Sequence, residues 1–187
     1  MIGKDFKYKI IKNFLNKDEI ELLKNYCVIR HRNYDDYGRD QKQIEGMHLS
    51  NFYGDPMLES LQLLKKPLME KVTGKELLES YTYWRMYVFG AELYKHRDRP
   101  SCEISVTLNI GSCGAQWPIY MDGYPLVLEP GDAGVYLGCE VWHWRNEFQG
   151  DWNAQAFLHY VDKNGPNTQH AMDGRSMYGQ KRGQKLF

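Results

Sequence analysis

Two residues with metal-binding side chains, His96 and Asp98, stand two positions apart in the sequence. On an extended segment, residues i and i+2 point to the same side, so this imidazole and this carboxylate share a face while Arg97 faces away. Imidazole and carboxylate together suit a divalent metal such as iron(II). For the pair taken alone, the alternative is a surface turn with an incidental histidine.

A third metal-binding side chain, His143, follows Asp98 by 45 residues, near the start of a late predicted strand. The chain between them is long enough to form several strands and to return to the same end of a sheet. Two histidines and one carboxylate on one face of a metal form the facial triad of non-haem iron(II) enzymes, which leaves other coordination positions open. We therefore predict that His96, Asp98 and His143 are catalytic metal ligands.

The other histidines fit a metal site less well. His31, His48 and His170 lie in polar stretches that are typical of loops. His159 lies on a predicted strand, where a buried structural role is expected.

An arginine, Arg145, lies two residues after His143, so both point the same way while Trp142 and Trp144 point the other way. A planar guanidinium suits the far carboxylate of a dicarboxylate, because it can donate two parallel hydrogen bonds. The alternative is a surface arginine between two core tryptophans.

Short runs rich in Tyr, Val, Ile and Leu recur between turn signals from about residue 79 onwards. They predict seven strands: Tyr81–Phe89, Glu103–Ile110, Pro118–Met121, Leu126–Leu128, Gly134–Leu137, Val141–Arg145 and Ala154–Val161. Short strands with no long helix between them favour a sandwich or barrel, and a jelly roll is one standard solution. We therefore predict a mainly β protein with flanking N-terminal helices.

The first of those helices is predicted to start at a capping box. Asn16 can cap it, with Glu19 three residues later, and Ile20, Leu23 and Cys27 then fall on one face.

The second helix is expected to begin after Asp55-Pro56 and to end at Gly74, and Pro67 should kink or break it. Its predicted apolar face is formed by Leu58, Leu61, Leu64, Leu68 and Val72.

We expect a single domain with three regions: a mostly helical part (1–78), a jelly-roll core (79–162) and a C-terminal tail (163–187). The tail is polar and rich in glycine, so we expect it to wrap the surface or to be partly disordered. The segment from Arg30 to Gly54 is long enough to be a lid over a substrate.

The composition excludes several classes of protein. Lys and Arg (24) balance Asp and Glu (24), so no general field attracts nucleic acid or an anionic membrane. No apolar run has the length of a signal peptide core or a transmembrane helix. The four cysteines match no zinc-finger spacing, and a reducing, cytoplasmic compartment is the expectation.

The segment Tyr87–Asp98 resembles the Y-x-x-G-x-x-L-x-x-H-x-D signature of the prolyl-4-hydroxylase-like branch of the iron(II)/2-oxoglutarate oxygenases. Glu103–Ile110 resembles the strand after that motif, Leu128–Asp132 the turn before the distal histidine's strand, and Phe14–Glu19 the helix start that often opens such domains. The resemblance covers most of residues 8–162, with the motifs in the right order.

This resemblance implies a double-stranded β-helix (jelly-roll) fold, iron(II) held by His96, Asp98 and His143, and 2-oxoglutarate and dioxygen as cosubstrates. It also implies oxidation of an unactivated C–H bond, coupled to decarboxylation, in a peptidyl residue or a small metabolite. Related halogenases lack the carboxylate ligand, so the presence of Asp98 favours hydroxylation.

The chain departs from the family at the cosubstrate site. The usual anchor for 2-oxoglutarate is an Arg or Lys on the last strand, but here that strand offers Asn153 and Gln155, which carry no charge. Arg145 is the nearest replacement. We therefore predict that Arg145 binds the cosubstrate, with Gln155 and Tyr87 adding hydrogen bonds.

Two other classes of function stay open at this point. One is a non-catalytic, cupin-like jelly-roll protein that binds a metal or another ligand. The other is a metal-dependent isomerase or dioxygenase that does not use 2-oxoglutarate.

Overall fold

Two antiparallel sheets and two helices make up the structure, a computed structural model that describes residues 7–33, 50–180 and 182–183. The strands are β1 (Tyr8–Ile11), β2 (Ser50–Tyr53), β3 (Leu77–Val88), β4 (Leu93–His96), β5 (Ile104–Ser112), β6 (Ile119–Met121), β7 (Tyr124–Leu126), β8 (Ala133–Leu137), β9 (His143–Arg145) and β10 (Trp152–Asp162). The large sheet has the order β1-β8-β5-β10-β3-β2, and the small sheet has the order β4-β9-β6-β7. From β3 to β10 the chain crosses between the two sheets, except at the β6–β7 hairpin within the small sheet. This is the pattern of a jelly roll, and the predicted fold class is confirmed.

Helix α1 (Lys17–Arg32) begins at the predicted capping box. The Asn16 side chain accepts from the Glu19 N–H at 2.9 Å, and the Asn16 N–H donates to the Glu19 carboxylate at 2.8 Å. Leu23 and Cys27 are buried on the face that the sequence predicts. The helix therefore starts and packs as expected.

Helix α2 (Pro56–Thr73) has Asp55 as its N-cap and ends at Gly74, whose φ of 68° lies in the left-handed region. Of the two alternatives predicted at Pro67, a kink or a break, the break is wrong, because the helix continues through this residue. Pro67 is exposed, so the hydrogen bond that it removes lies on the solvent side. The predicted apolar face is also wrong at Leu64, which is 64% exposed, while Met69 is fully buried.

The two faces of the large sheet differ in chemistry, because successive side chains of a strand point to opposite sides. The face that packs with the helices is apolar and includes Trp84, Met86, Val106, Leu108, Ala156 and Leu158, all buried. The opposite face, towards the small sheet, carries buried polar groups: Arg85, Thr107, Asn109, Gln155 and His159. Buried polar side chains require partners, so this interior face is suited to a ligand site rather than to a simple core.

Two strands were not predicted from the sequence. β2 is a short strand at the edge of the large sheet, and β4 contains the exposed Tyr94 and Lys95. β2 and β1 both join the large sheet, so the described parts of the first 78 residues contribute strands as well as helices. Beyond β10, 3-10 turns at Thr168–Gly174 pack against the sheet, where the Ser80 hydroxyl donates to the His170 carbonyl at 3.1 Å.

The predicted lid falls mostly outside the described residues, which omit 34–49. None of the described helices is long and apolar enough to cross a membrane.

Candidate active site

His96 and His143 lie directly opposite each other on the paired strands β4 and β9. Their ring centroids are 4.2 Å apart. Asp98 follows β4, and its backbone N–H donates to the Gly138 carbonyl at 2.9 Å. Its Oδ1 is 3.6 Å from His96 Nε2 and 3.5 Å from His143 Nε2. The three predicted ligands therefore surround one point between the two sheets, as a metal site requires.

The tautomers of both histidines are set by backbone carbonyls. His96 Nδ1 lies 2.7 Å from the Tyr94 carbonyl oxygen, and His143 Nδ1 lies 3.0 Å from the Val141 carbonyl oxygen. A carbonyl can only accept, so each Nδ1 carries a proton, and each Nε2 is the ring nitrogen that faces Asp98. This is the orientation that metal-binding histidines adopt, and the donor set fits a divalent metal such as iron(II).

Asp98 is ionised and held in place from its other oxygen. Burial opposes its ionisation, but contacts with His143 and His96 outweigh burial and hold its pKa below the usual range. The Ser105 hydroxyl lies 2.9 Å from Asp98 Oδ2 and 2.9 Å from His159 Nδ1. The carboxylate therefore has one oxygen facing the two histidines and one bound to the protein.

Asp98 also lies near Cys102 and His159, which with it form a second group of metal-binding atoms. The Ser105 hydroxyl stands between the carboxylate and the His159 ring and bonds to both. Burial lowers the pKa of His159 to about 4 and raises the pKa of the Cys102 thiol, so both are uncharged at neutral pH. Because Ser105 links His159 to Asp98, we assign Ser105 and His159 to the hydrogen-bonded support of Asp98, while the Cys102 thiol contacts the Tyr81 hydroxyl at 3.1 Å.

A cavity of about 410 Å³ opens at the three ligands, between the sheets. Its wall on the large sheet is formed by Tyr81, Tyr83, Arg85 and Tyr87 of β3 and by Phe157 and His159 of β10. These alternate residues of each strand all lie on the polar interior face. The cavity places an aromatic and cationic wall opposite the metal-binding atoms.

Solved structures with the same architecture are known, although no protein-family model matches the sequence and no match was found among curated proteins. A prolyl-4-hydroxylase from Pseudomonas putida is 17% identical, with a TM-score of 0.64 over 85% of this chain and 94% of that chain. The viral collagen prolyl hydroxylase from Paramecium bursaria Chlorella virus-1 is 10% identical, with a TM-score of 0.62 over 86% and 98%.

The chain has the fold of the 2-oxoglutarate/iron(II) oxygenases. The same oxygenase fold is shared by the 2-oxoglutarate-dependent epimerase SnoN from nogalamycin biosynthesis, at 10% identity and a TM-score of 0.67 over 83% of this chain and 78% of that chain. Hydroxylases and an epimerase thus have this fold in common, so the likeness determines the architecture and not the reaction.

Within this oxygenase fold, Arg145 points into the interior as predicted and is only 2% exposed. Its guanidinium donates to the Gln155 side chain at 3.1 Å, to the Thr107 hydroxyl at 3.5 Å and to the Trp117 carbonyl, while its Nε has no hydrogen-bond partner among the described residues. Among the described residues, no carboxylate forms an ion pair with it, and burial lowers its pKa to about 10. Arg145 is therefore a buried cation at neutral pH with no anion beside it in the described chain.

The predicted cosubstrate residues are only partly brought together. Arg145 and Gln155 bond to each other but do not line the cavity, whereas Tyr87 does and packs edge-on against Trp117, with ring centroids 4.8 Å apart. Gln155 also donates to Asn153 at 2.6 Å.

Sequence reasoning missed Arg85, a cation that lines the cavity. Its guanidinium donates to the Tyr83 hydroxyl at 2.9 Å and to Asn51, and lies 5.4 Å from the ring centroids of Tyr83 and Tyr87. The signal was present, because Tyr83, Arg85 and Tyr87 alternate along one strand as the members of one face do.

Proposed function

We propose that the chain is an iron(II)- and 2-oxoglutarate-dependent dioxygenase that hydroxylates an unactivated C–H bond of a peptidyl residue or a small metabolite. The observation that carries the proposal is the convergence of His96, Asp98 and His143, with the Nε2 atoms of both histidines facing the carboxylate. Two imidazoles and one carboxylate on one side of a metal leave positions for a bidentate 2-oxo acid and for dioxygen.

In this proposal the protein's own residues have three tasks: to hold the two histidines, to hold Asp98 and to exclude water. The backbone carbonyls at Tyr94 and Val141 hold the histidines, and Ser105 holds Asp98. When bound, the metal would supply dioxygen activation and the oxidative decarboxylation of 2-oxoglutarate to succinate and carbon dioxide. The jelly-roll interior would exclude water from the reacting groups.

Arg145 is proposed as the anchor for the far carboxylate of 2-oxoglutarate. Two facts support it: the guanidinium is buried without a carboxylate of the described chain, and its Nε lacks a partner. A buried charge is costly unless it is paired, so an anionic ligand would remove that cost. Gln155 orients the guanidinium, and Tyr87 offers a hydroxyl from the cavity wall.

The test is spectroscopic and uses the whole chain without oxygen. Iron(II) with 2-oxoglutarate should give a weak visible charge-transfer band, and His96→Ala or Asp98→Ala should abolish it. His31→Ala is the matched control, because His31 lies on α1 and bonds to Ser50, and it should keep the band. A wild-type protein without the band would contradict the proposal.

Succinate formation then separates catalysis from binding. With oxygen admitted, the wild type should form succinate and release carbon dioxide, slowly without a primary substrate and faster with one. A band without any succinate, across peptides and small metabolites, would instead favour the non-catalytic binding protein.

A further inference from the structure

The C-terminal segment, residues 163–180, places a buried carboxylate, Asp173, next to the cavity. Asp173 is 3% exposed and accepts two hydrogen bonds from the Arg99 guanidinium, at 2.5 and 2.8 Å. It also accepts from the Ser101 hydroxyl at 2.8 Å and from the Tyr53 hydroxyl at 2.6 Å. Both Asp173 oxygens are thus bound by groups from β2 and from the turn after Asp98.

The backbone at this point adopts a conformation that its side chains rarely take. Met172 and Asp173 have φ values of 55° and 53°, in the left-handed region that favours glycine. Arg175, two residues after Asp173, fixes this segment to the rest of the fold. It donates to the Ser80 carbonyl at 2.9 Å and pairs with Glu59 at 2.5 Å. Unfavourable backbone that is enforced by its surroundings is concentrated at functional sites.

Asp173 acts on the cavity through the residues that it binds. Arg99 lines the cavity, and its guanidinium lies 4.7 Å from the centroid of the Tyr81 ring. The Tyr53 ring stacks on the same Tyr81 ring, at 4.9 Å between centroids. Asp173 therefore fixes two of the side chains that contact Tyr81, at the opposite end of the β3 wall from Tyr87.

Arg99 and Asp98 are adjacent residues of opposite charge, and both line the cavity. Nevertheless no ion pair joins them in the described chain: Asp98 faces His96 and His143, and Arg99 pairs with Asp173. A guanidinium that donates two hydrogen bonds to one carboxylate has little capacity left for another in a different direction. Without Asp173, Arg99 would lose its carboxylate partner, and Asp98, which lines the same cavity, would be an alternative partner for which Arg99 competes with the metal.

We propose that Asp173 is a positioning residue that keeps Arg99 away from Asp98 and so keeps Asp98 available as a metal ligand. This inference rests on the proposed function, in which Asp98 binds the metal. The C-terminal segment is then part of the active site.

The test measures the affinity of the metal-free protein for cobalt(II), used as an oxygen-stable probe, without measuring activity. Asp173→Asn should weaken binding about tenfold, the lower end of the range for residues that support a metal ligand. Arg99→Gln should bind cobalt(II) as the wild type does, and so should the double variant, because the competing cation is gone. Ser176→Ala is the control, since Ser176 lies on the same segment but bonds to Gln180.

The double variant makes the proposal falsifiable. An equal loss of affinity from Asp173→Asn with and without Arg99 would overturn it, as would no loss in either background. Should Asp173→Asn fail to fold, Tyr53→Phe applies the same test, since it removes one hydrogen bond to the carboxylate. We expect a smaller loss of cobalt(II) affinity that disappears when Arg99→Gln is added. A loss of affinity that persists with Arg99→Gln overturns the proposal. Wild-type protein that binds no cobalt(II) would refute the proposed function itself, a result distinct from these.

Discussion

Arg175 and Arg145 are both almost fully buried, in two different regions of the molecule. Arg175, in the C-terminal segment, pairs with the carboxylate of Glu59, and both side chains are at most 1% exposed. Arg145, in the jelly-roll interior, bonds only to neutral groups among the described residues. A buried arginine that stabilises the fold is expected to have a carboxylate of the protein as its partner, as Arg175 has. A buried arginine that binds an anionic ligand is expected to lack one, as Arg145 does among the described residues. Identical substitutions at the two positions should therefore separate stability from binding.

Arg175→Met should have the largest effect on stability. It leaves Glu59 buried beside a neutral side chain, and breaking a buried ion pair in this way costs about 3–5 kcal/mol of unfolding free energy. Chemical denaturation of the metal-free protein measures the loss. A change below 1 kcal/mol would show that Arg175 and Arg145 do not differ in the way described.

Arg145→Met should instead leave the unfolding free energy within about 1 kcal/mol of the wild type, because lost hydrogen bonds offset the removal of a buried charge. Its binding free energy for 2-oxoglutarate should weaken by about 3 kcal/mol, which raises the Kd roughly 150-fold, while its affinity for the metal is unchanged. Calorimetric titration of the metal-loaded protein measures both. Arg85→Met is the matched comparison: if it loses the cosubstrate and Arg145→Met does not, the anchor is Arg85.

Thermal unfolding should also distinguish the wild type from Arg145→Met, because a ligand that binds only the folded state stabilises it. Metal together with 2-oxoglutarate at a hundredfold excess over its Kd should add about 2.7 kcal/mol to wild-type stability beyond the effect of metal alone. At the same concentrations, Arg145→Met should gain only the metal's contribution. Equal stabilisation of both proteins by 2-oxoglutarate would place its carboxylate elsewhere.

The smallest effect is expected from Gln155→Glu, which gives Arg145 an anion of its own. The Gln155 oxygen already lies 3.1 Å from the guanidinium, so the new carboxylate would pair with it and compete with 2-oxoglutarate. The Kd should rise about tenfold, or 1.4 kcal/mol, with stability maintained or raised. Unchanged affinity for 2-oxoglutarate in a stable variant would argue against Arg145 as the anchor.

Local rules predicted much of the fold and the shared face of His96 and Asp98. The capping box at Asn16 depends on neighbours three residues apart, and the common direction of His96 and Asp98 depends on strand parity. Both are properties of short windows of sequence, so one chain is sufficient to find them.

What the sequence did not reveal depends on contacts between distant segments. Asp173 reaches Arg99 across 74 positions, so a polar, glycine-rich stretch could not be distinguished from a loose tail. Leu64 continues a helical apolar pattern, yet none of the described elements covers that side of α2, and Leu64 is exposed. His159 was correctly expected to be buried, but its bond to Ser105, and through it to Asp98, required the pairing of β5 with β10.

The bonds of the C-terminal segment also set where this chain can be shortened. A version that stops at Asp162, the end of β10, would keep every described strand and all three proposed metal ligands. It would nevertheless remove Arg175, the partner of Glu59, and Asp173, the partner of Arg99. The smallest fragment worth producing must therefore extend at least to Gln180, and an affinity tag belongs beyond that residue rather than directly after the last strand.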